Sequence, residues 1–302
     1  MSFEICALTN CADDHFYLTK WLDYYGRTLG GRHHLFVILD GPDPIAREIA
    51  MGASVIELPR RTGDPQFERT RWRVLQSMTE TLSHKFDCVI CGDVDELVTL
   101  SPSVALASGH SLQSYLAEKA RDDQLAFLAP LGFEIIEHTT EEAALDPKTA
   151  ILQQRRFGRL HSKYAKPCIL FKPAALRLKP GGHIWAQGPW NLDPDLILFH
   201  LKAVDRDISD AVAIARQARL DGLEQVSTGP QLHGIKGWRD GARQLDETRA
   251  WLLEGITDLQ DFANFKPAPL IALYERRRRR IGRCPSIMTG PFQLGPEWAA
   301  VL

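Results

Sequence analysis

A chain of 302 residues is longer than one average domain of about 150 residues, so it could form two domains or one large α/β unit. Its 36 basic and 38 acidic side chains give a formal net charge of -2, so no overall field favours a nucleic acid or an acidic polymer as the partner. Six cysteines without regular spacing are unlike the dense framework of a small disulfide-bonded domain, and they indicate reduced thiols.

The N-terminal stretch "MSFEICALTN" has an acidic fourth residue and only a short apolar run, unlike a signal peptide. No run of about 18 apolar residues occurs anywhere in the sequence, which predicts that no helix crosses a membrane. Both features predict a cytoplasmic protein.

Strand and helix patterns alternate four times at the start of the chain. The apolar runs "FEICALT", "HLFVILD", "SVIELP" and "FDCVIC" predict four strands. Between them lie "FYLTKWLDYYG", "PIAREIA" and "QFERTRWRVLQSMTETLSHK", whose composition and apolar spacing predict helices. This alternation predicts an α/β fold with a Rossmann-like, mainly parallel sheet flanked by helices.

The pattern changes in the second half of the chain. The runs "QLAFLAPLGFEIIEH", "CILFKPAALRLK" and "LILFHLK" predict strands without long helices between them, and therefore a mixed or antiparallel arrangement. Helical patterns return after "LILFHLK". We therefore expect a catalytic domain of residues 1–205 and a helical C-terminal extension of residues 206–302 with a basic segment.

The stretch "DCVICGDVDELVTL" ends an apolar strand in three acids, Asp93, Asp95 and Glu96. Asp93 and Asp95 are two positions apart, so on extended backbone both side chains would leave the same face. Mg²⁺ and Mn²⁺ favour carboxylate oxygens, and a bound ion would offset the repulsion between adjacent acids. The pattern favours metal or phosphate chemistry, although acids also follow a buried strand where the chain simply reaches water.

The predicted strand ends carry further polar residues. In an open parallel sheet, ligands bind beyond the carboxyl ends of the strands, so residues at those ends should share one site. Guanidinium groups pair well with phosphate oxygens, so those after the third strand could face a diphosphate, as could Arg69 and Arg71, for which solvation on a helix surface is the default. The residues at the four ends are Thr9 and Asn10, then Asp40, then Arg60 and Arg61, then Asp93 and Asp95.

The succession "ICALTNCADDHFYLTKWLDYYGRTLGGRHHLFVILDG", "FDCVICGDVDELVTL" and "LILFHLK" resembles bacterial glycosyltransferases of the family 2-like group, which have a GT-A fold. "DVDE" and "KWLDYY" are its more specific parts. The resemblance implies a metal-dependent, inverting hexosyltransferase. It would move a sugar from a UDP- or GDP-linked donor to a saccharide or lipid-linked acceptor, in bacterial cell-surface polysaccharide synthesis.

Residue roles also follow from the resemblance. It implies that Asp93 and Asp95 form the DxD motif and coordinate Mn²⁺ or Mg²⁺, with His200 as a third ligand. It implies that Asp40 holds the nucleoside and that Asn10 lies in the loop that frames it. The metal would act as a Lewis acid on the leaving diphosphate.

Two features depart from the family pattern. The acid expected directly after the first-strand Asn is replaced by "CADD", which leaves Asp13 or Asp14 as substitutes. No second acid motif identifies the base that would deprotonate an acceptor hydroxyl, so Asp193, Asp195 and Glu134 are all candidates.

Two further groups of residues could bind partners. Lys163, Lys166, His183 and Trp185 could line an acceptor pocket by hydrogen bonding and stacking, while a structural histidine is the alternative for His183. The five arginines Arg276 to Arg280 follow "PLIALY" and could rest on an anionic membrane surface. A solvated charge run is the commoner outcome for such a stretch.

Two other functions remain open at this point. "VICGDVDELVTL" also approximates the motif of haloacid-dehalogenase-like phosphatases, in which Asp93 would be the nucleophile and Asp95 the general acid. Glu96 departs from that motif, and no later paired-acid segment follows. The second alternative is a non-catalytic saccharide-binding protein with the GT-A fold.

Overall fold

The computed structural model describes residues 3–60, 64, 66–173, 177–184, 190–224, 241–281 and 286–302, so that Arg61 and Trp185 lie outside the described residues. The strands are β1 (Ile5–Cys11), β2 (Leu35–Asp40), β3 (Ser54–Leu58), β4 (Cys88–Cys91), β5 (Glu96–Leu100), β6 (Phe127–Ile136), β7 (Phe157–His161), β8 (Ile169–Leu170), β9 (Leu178–Lys179), β10 (His183–Ile184), β11 (Leu192–Ala203), β12 (Gln260–Asp261) and β13 (Met288–Gln293). The α-helices are α1 (His15–Thr28), α2 (Pro44–Ile49), α3 (Phe67–Leu82), α4 (Pro102–Ser108), α5 (Leu112–Lys119), α6 (Ile151–Gln154), α7 (Arg206–Glu224), α8 (Gly241–Glu254) and α9 (Pro267–Ile281).

The first four strands form a parallel sheet with helices on both faces. Their order is β3, β2, β1, β4. Neighbouring residues of β1 face opposite sides, because Ala7 lies in the core cluster that contains Trp21 of α1, whereas Leu8 lies in the cluster that contains Trp72 of α3. The predicted α/β fold with a mainly parallel sheet is confirmed in this half.

The strand order reverses between β1 and β4. The chain passes from β1 to β2 and β3 on one side, then crosses through α3 and places β4 on the other side of β1. The loops that follow β1 and β4 therefore diverge, which leaves a crevice at the carboxyl ends of these two strands.

The second half of the sheet is mixed, as predicted. Strand β8 pairs antiparallel with both β4 and β6, while β11 lies between β5 and β6, antiparallel to the first and parallel to the second. Because β4 and β6 both run opposite to β8, the carboxyl ends of β4, β6 and β11 lie at the same edge of the sheet.

The segment 206–302 is not only a helical extension. It contributes β13, which pairs with β7, and β12, which pairs with β13. Phe262 and Phe292 pack on Phe133 of β6, with ring centroids 5.0 and 6.4 Å away. Burial of these rings against the sheet corrects the expectation of a purely helical extension; the division at residue 205 stays a prediction.

The basic segment faces two environments. Arg278 is buried, and its guanidinium carbon lies 5.3 Å from the centroid of a Trp190 ring, whereas Arg276 and Arg277 are exposed. The arginines therefore do not form one outward row. Within the described part of the chain, every helix is too short or too polar to cross a membrane.

Gly132 of β6 allows close backbone packing beside the carboxyl edge. A Cβ added at this position would lie 2.4 Å from the Tyr164 carbonyl carbon and 2.7 Å from the Ala165 nitrogen. Both contacts are with backbone atoms, which cannot move aside as the end of a flexible side chain can. A side chain here would push the segment that contains Tyr164 away from β6.

We expect Gly132→Ala to lower the free energy of unfolding by about 1–3 kcal/mol, the usual cost of overpacking. Gly26→Ala is the control, because its new Cβ would meet two side-chain atoms, Arg32 Cγ at 3.3 Å and Leu35 Cδ1 at 4.0 Å, and helix propensity favours alanine by about 1 kcal/mol. Urea unfolding of both variants measures the difference. Equal stability of Gly132→Ala and the wild type would contradict this account of the packing.

Candidate functional site

Polar side chains from three neighbouring strands meet where the strand order reverses. Asn10 lies near the end of β1, Asp40 ends β2, and Asp93 follows β4. Asn10 Nδ2 donates a hydrogen bond of 2.9 Å to the Ile38 carbonyl oxygen, which ties the end of β1 to β2. The structure therefore brings these three predicted site residues to one edge of the sheet.

Arg60 lies at the same edge but is already paired. It donates from both terminal nitrogens to the carboxylate of Asp13, at 3.1 and 2.9 Å, and from Nε to the Asp40 carbonyl oxygen at 2.7 Å. The hydrogen bonds to Asp13 raise the pKa of Arg60 above its ordinary value. A diphosphate would have to compete with Asp13 for this guanidinium, which corrects the prediction that Arg60 simply faces phosphate.

Asp93 and Asp95 lie on a turn and not on extended backbone. Strand β4 ends at Cys91, and the Glu96 N–H donates to the Asp93 carbonyl oxygen at 3.1 Å, which closes a turn over residues 93–96. The alternation of side chains between the two faces of a strand therefore does not apply to Asp93 and Asp95, and their carboxylates contact different partners. This corrects the expectation that both would meet one cation. Val94 is buried between them, as expected.

Asp93 is held by two cationic side chains. Arg71 Nη1 donates to Oδ1 at 2.8 Å, and Lys166 Nζ donates to Oδ2 at 2.9 Å. Burial alone would raise the pKa of Asp93, but the charges of Lys166 and Arg71 outweigh burial and hold this pKa well below its ordinary value. Each oxygen of the Asp93 carboxylate is therefore engaged by a cation.

Lys166 connects Asp93 to Glu96. Its ammonium forms an ion pair with Glu96, and the Glu96 Oε2 accepts a hydrogen bond of 3.2 Å from the Asp93 backbone N–H. Burial opposes the charge on Lys166, but Asp93 and Glu96 hold its pKa above the ordinary value. Burial raises the pKa of Glu96 to about 7, although the charge of Lys166 acts against that rise.

Asp95 faces His200 on the other side of the turn. Asp95 Oδ2 lies 3.6 Å from His200 Nε2, and His200 Nδ1 lies 3.6 Å from Glu134 Oε1. The His200 ring stacks on Tyr164 with centroids 3.9 Å apart. The Glu134 carboxylate accepts a hydrogen bond of 3.0 Å from the Tyr164 hydroxyl and one of 2.8 Å from Arg159 Nε. The imidazole therefore lies between two carboxylates with its ring plane fixed.

The predicted metal ligands Asp93, Asp95 and His200 do not form one set. Asp93 is engaged by cations, and in the described ranges no three His, Cys, Asp or Glu side chains are placed to hold a metal. Asp95 offers one carboxylate to a divalent ion, and Mg²⁺ is commonly held by one or two carboxylates together with substrate phosphates. His200 lies beside Asp95, so a metal at this position stays a prediction that involves these two residues.

Asp193 and Asp195 lie away from this site. They are at the start of β11, where Asp193 opposes Pro130 of β6, while His200 opposes Glu134; the four residues from Pro130 to Glu134 span about 13 Å of strand at about 3.3 Å per residue. The Tyr115 hydroxyl donates to both carboxylates, at 2.9 and 3.0 Å, and Lys119 Nζ lies 3.1 Å from Asp193. The two acids connect α5 to the start of β11, and their role as catalytic residues stays a prediction.

Of the predicted acceptor residues, the structure describes Lys163, Lys166 and His183, and His183 lies in a hairpin beside Lys166. His183 belongs to the β9–β10 hairpin, where a Cβ on Gly182 would lie 2.8 Å from Trp72 Cη2 and 3.2 Å from Lys166 Cδ. The hairpin therefore packs directly on Lys166. Burial lowers the pKa of His183 to about 4, with the Lys166 charge acting in the same direction, so this imidazole is neutral at pH 7. Lys163 is exposed on the turn that precedes Lys166.

Sequence reasoning did not assign Tyr164 to the site, and it named Lys166 for an acceptor pocket and Arg71 for a diphosphate, not as partners of Asp93. Lys166 lies 73 positions from Asp93, and only the packing of β8 beside β4 brings the two together. One signal was present: Lys166 stands in the mostly apolar stretch "YAKPCIL", and a buried lysine is rare unless it is paired.

Comparisons with known proteins give only weak likenesses. No protein-family model matches the chain, and no curated protein matches it. Among solved structures, S. aureus TarS is similar at 10% identity and a TM-score of 0.32, over 74% of this chain and 43% of that chain. S. aureus TarS 1-349 in complex with UDP-GlcNAc is similar at 8% identity and a TM-score of 0.32, over 93% of this chain and 89% of that one. This chain thus spans 43% of the first of these structures, and likeness at this level carries no weight for function.

His161, at the end of β7, should make stability depend on pH. Burial lowers the pKa of His161 to about 4, although the Glu134 charge opposes the shift. The unfolded chain takes up this proton near pH 6.5, so the stabilising contribution is complete above that pH and is lost as the pH falls toward about 4.

We therefore expect His161→Gln to reduce the loss of stability between pH 7 and pH 4.5 by about 2 kcal/mol. Glutamine can still accept the hydrogen bond that His161 Nδ1 accepts from the Lys163 N–H at 3.1 Å. Urea unfolding at several pH values measures the effect, with His33→Gln at an exposed position as the control. An unchanged pH dependence in His161→Gln would show that His161 does not cause it.

Proposed function

We propose that this protein is a glycosyltransferase that uses a nucleotide-sugar donor. The observation that carries the proposal is the meeting of Asn10, Asp40 and the turn 93–96 where the strand order reverses, the position at which open α/β sheets bind nucleotides. The Asp40 side chain is 41% exposed, so its carboxylate can accept hydrogen bonds from the hydroxyls of a ribose.

The donor diphosphate would lie at Asp95 and His200. A bound Mn²⁺ or Mg²⁺ would supply electrostatic stabilisation of the diphosphate leaving group. Glu134 lies behind His200 and, with Tyr164, sets the orientation of the imidazole, as carboxylates do for many ligating histidines.

Glu134 is a poor candidate for the base. Burial alone would raise the pKa of Glu134, but His200 and Arg159 hold it well below its ordinary value. Its oxygens accept from Arg159 and Tyr164, so a proton taken from an acceptor hydroxyl would displace one of these hydrogen bonds. We therefore assign Glu134 to the support of His200.

The finer features of the proposal rest on the resemblance of "KWLDYY" and "DVDE" to family 2-like bacterial enzymes. These features are a donor that carries a hexosyl group on UDP or GDP, a reaction that inverts the anomeric configuration, and a saccharide or lipid-linked acceptor in cell-surface polysaccharide synthesis. Lys163 and His183, beside the turn, would face the acceptor. The proposal also includes a cytoplasmic location, with peripheral contact to a membrane surface through the exposed Arg276 and Arg277.

The phosphatase alternative is disfavoured by the contacts of Asp93. A nucleophilic carboxylate must reach a phosphorus atom, yet both oxygens of Asp93 lie within 2.9 Å of a buried or half-buried cation. Asp95, the general acid of that alternative, faces His200 on the other side of the turn. The two acids therefore lack a common substrate position.

A thermal-shift screen of UDP, GDP and CMP, each with and without Mn²⁺, tests the proposal. A ligand at about 100 times its Kd stabilises the folded state by about 2.7 kcal/mol, which should raise Tm by about 5 °C or more. We expect one nucleotide to give this shift only with Mn²⁺, and Asp95→Asn to abolish it.

Asp195→Asn is the matched control, because it removes one acid at the start of β11, where Asp195 contacts Tyr115 and not His200; its shift should equal that of the wild type. No shift with any of the three nucleotides would contradict the proposal. A broad set of saccharides is then offered as acceptors. If the protein binds a nucleotide sugar but neither transfers the sugar to any of them nor hydrolyses the donor, the non-catalytic alternative is favoured.

A further inference from the structure

We propose that Lys166 is a positioning residue: its ammonium bridges Asp93 and Glu96 and thereby fixes the turn 93–96 so that Asp95 faces His200. The inference deepens the proposed function and rests on it. Lys166 Nζ lies 2.9 Å from Asp93 Oδ2 and is ion-paired with Glu96, so one side chain holds the first and last residues of the turn.

The turn needs a cation because three of its four residues are acids. Asp93, Asp95 and Glu96 would repel one another, and each carboxylate would gain by moving toward water. The turn itself is closed by the Glu96 N–H to Asp93 carbonyl hydrogen bond of 3.1 Å and by the Asp93 N–H to Glu96 carboxylate hydrogen bond of 3.2 Å. Two such bonds contribute only about 1–3 kcal/mol each, so a bridging charge is a substantial part of what holds the turn.

Lys166 can act in this way because it is itself fixed. It is 5% exposed, so its ammonium has little access to water and depends on the two carboxylates. The Cys168 N–H donates to the Lys166 carbonyl oxygen and the Cys91 N–H donates to the Cys168 carbonyl oxygen, both at 2.8 Å. The backbone of Lys166 is thereby tied to the end of β4, directly before the turn.

The packing around Lys166 leaves it little freedom. Gly132 lets the backbone of Tyr164 and Ala165 lie against β6, and Trp190 Nε1 donates to the Ala165 carbonyl oxygen at 2.9 Å. From the other side the hairpin at Gly182 packs on the Lys166 stem. Its ammonium therefore has one position, between Asp93 and Glu96.

Asp95 is the remaining acid of the turn. With Asp93 and Glu96 both held toward Lys166, the turn directs the Asp95 side chain to the opposite side, where His200 Nε2 lies at 3.6 Å. The Asp95 carbonyl oxygen accepts a hydrogen bond of 2.9 Å from the Leu201 N–H, which joins the same turn to β11. Loss of the Lys166 bridge should release the turn and displace Asp95 from His200.

The test uses Lys166→Met, which keeps the length of the side chain and removes its charge, and the double variant Lys166→Met/Glu96→Gln, which also removes the excess acid. Two quantities are measured on the full chain: amide hydrogen exchange of the peptide covering residues 92–97, and affinity for UDP, GDP and CMP with Mn²⁺. We expect at least tenfold faster exchange of that peptide and at least tenfold weaker nucleotide binding in both variants, with exchange in α1 unchanged.

Lys20→Met is the matched control. Lys20 lies on α1 and donates to the Pro147 and Thr149 carbonyl oxygens, away from the turn, so its removal should leave both quantities within twofold of the wild type. Lys166→Met within twofold of the wild type in exchange and affinity would overturn the inference. If the added Glu96→Gln restored both the exchange rate of the turn and the nucleotide affinity, the inference would also be overturned, because Lys166 would then only balance charge.

The outcomes separate this inference from the proposed function. If the wild type binds none of the nucleotides while the turn exchanges faster in both variants, the proposed function fails and the positioning role of Lys166 is supported. If the wild type binds a nucleotide and the variants bind it equally well, the positioning role fails alone. Failure of both variants to fold would count against the inference, because Lys166 would then act on the whole fold.

Discussion

The candidate site depends on a chain of alternating acids and cations that are buried or half-buried. Burying an ion costs several kcal/mol unless an opposite charge and further hydrogen bonds meet it, so each member of such a chain needs its neighbours. The chain joins helix α3, the turn after β4, the segment before β8 and the start of β5, four elements that are far apart in sequence. In order, its members are Glu68, Arg71, Asp93, Lys166 and Glu96.

A second network lies beside the first and shares one segment with it. Tyr164 stacks on His200 and donates to Glu134, while Lys166, two residues later, holds Asp93. Gly132 lets the backbone of Tyr164 and Ala165 lie close to β6. Gly158 in the same way lets β7 lie close to β6, because a Cβ at this position would lie 2.2 Å from the Glu134 carbonyl oxygen. Two positions without side chains thus allow the polar groups of both networks to come within reach of each other.

Sequence reasoning reaches the fold and the edge of the sheet where the site lies, because alternation of strand and helix patterns is a local signal and parallel strands share one edge. It places Asn10, Asp40 and Asp93 correctly at that edge. It fails for the direction of Asp93 and Asp95, because a chain that leaves β4 can turn at once, and a turn does not keep the two-residue period of a strand.

Other errors have a similar physical origin. Acids at the start of β11 and polar residues at its end look alike in sequence, so Asp193 was a candidate base although it contacts Tyr115 and opposes Pro130, four residues before the partner of His200 on β6. Lys166 could not be assigned to Asp93, because their contact depends on antiparallel pairing of β4 with β8, a long-range choice that no local pattern encodes. Local patterns predict elements and edges; partners across the sheet require the topology.

The pairing of charges also restricts how an anionic ligand could bind. A diphosphate that enters this edge meets cations that already have carboxylate partners, so it would have to displace a carboxylate or arrive with a cation of its own. Displacement would leave a half-buried or buried acid without its partner, which is costly. A divalent ion bound beside Asp95 would instead add charge where that carboxylate faces the His200 imidazole, 3.6 Å away, and would leave the other pairs intact. The cations and their partners at this edge are Arg60 with Asp13, Arg71 with Asp93 and Lys166 with Asp93 and Glu96. Electrostatics at the edge therefore favours a nucleotide bound together with a metal ion over a nucleotide bound by arginine and lysine alone.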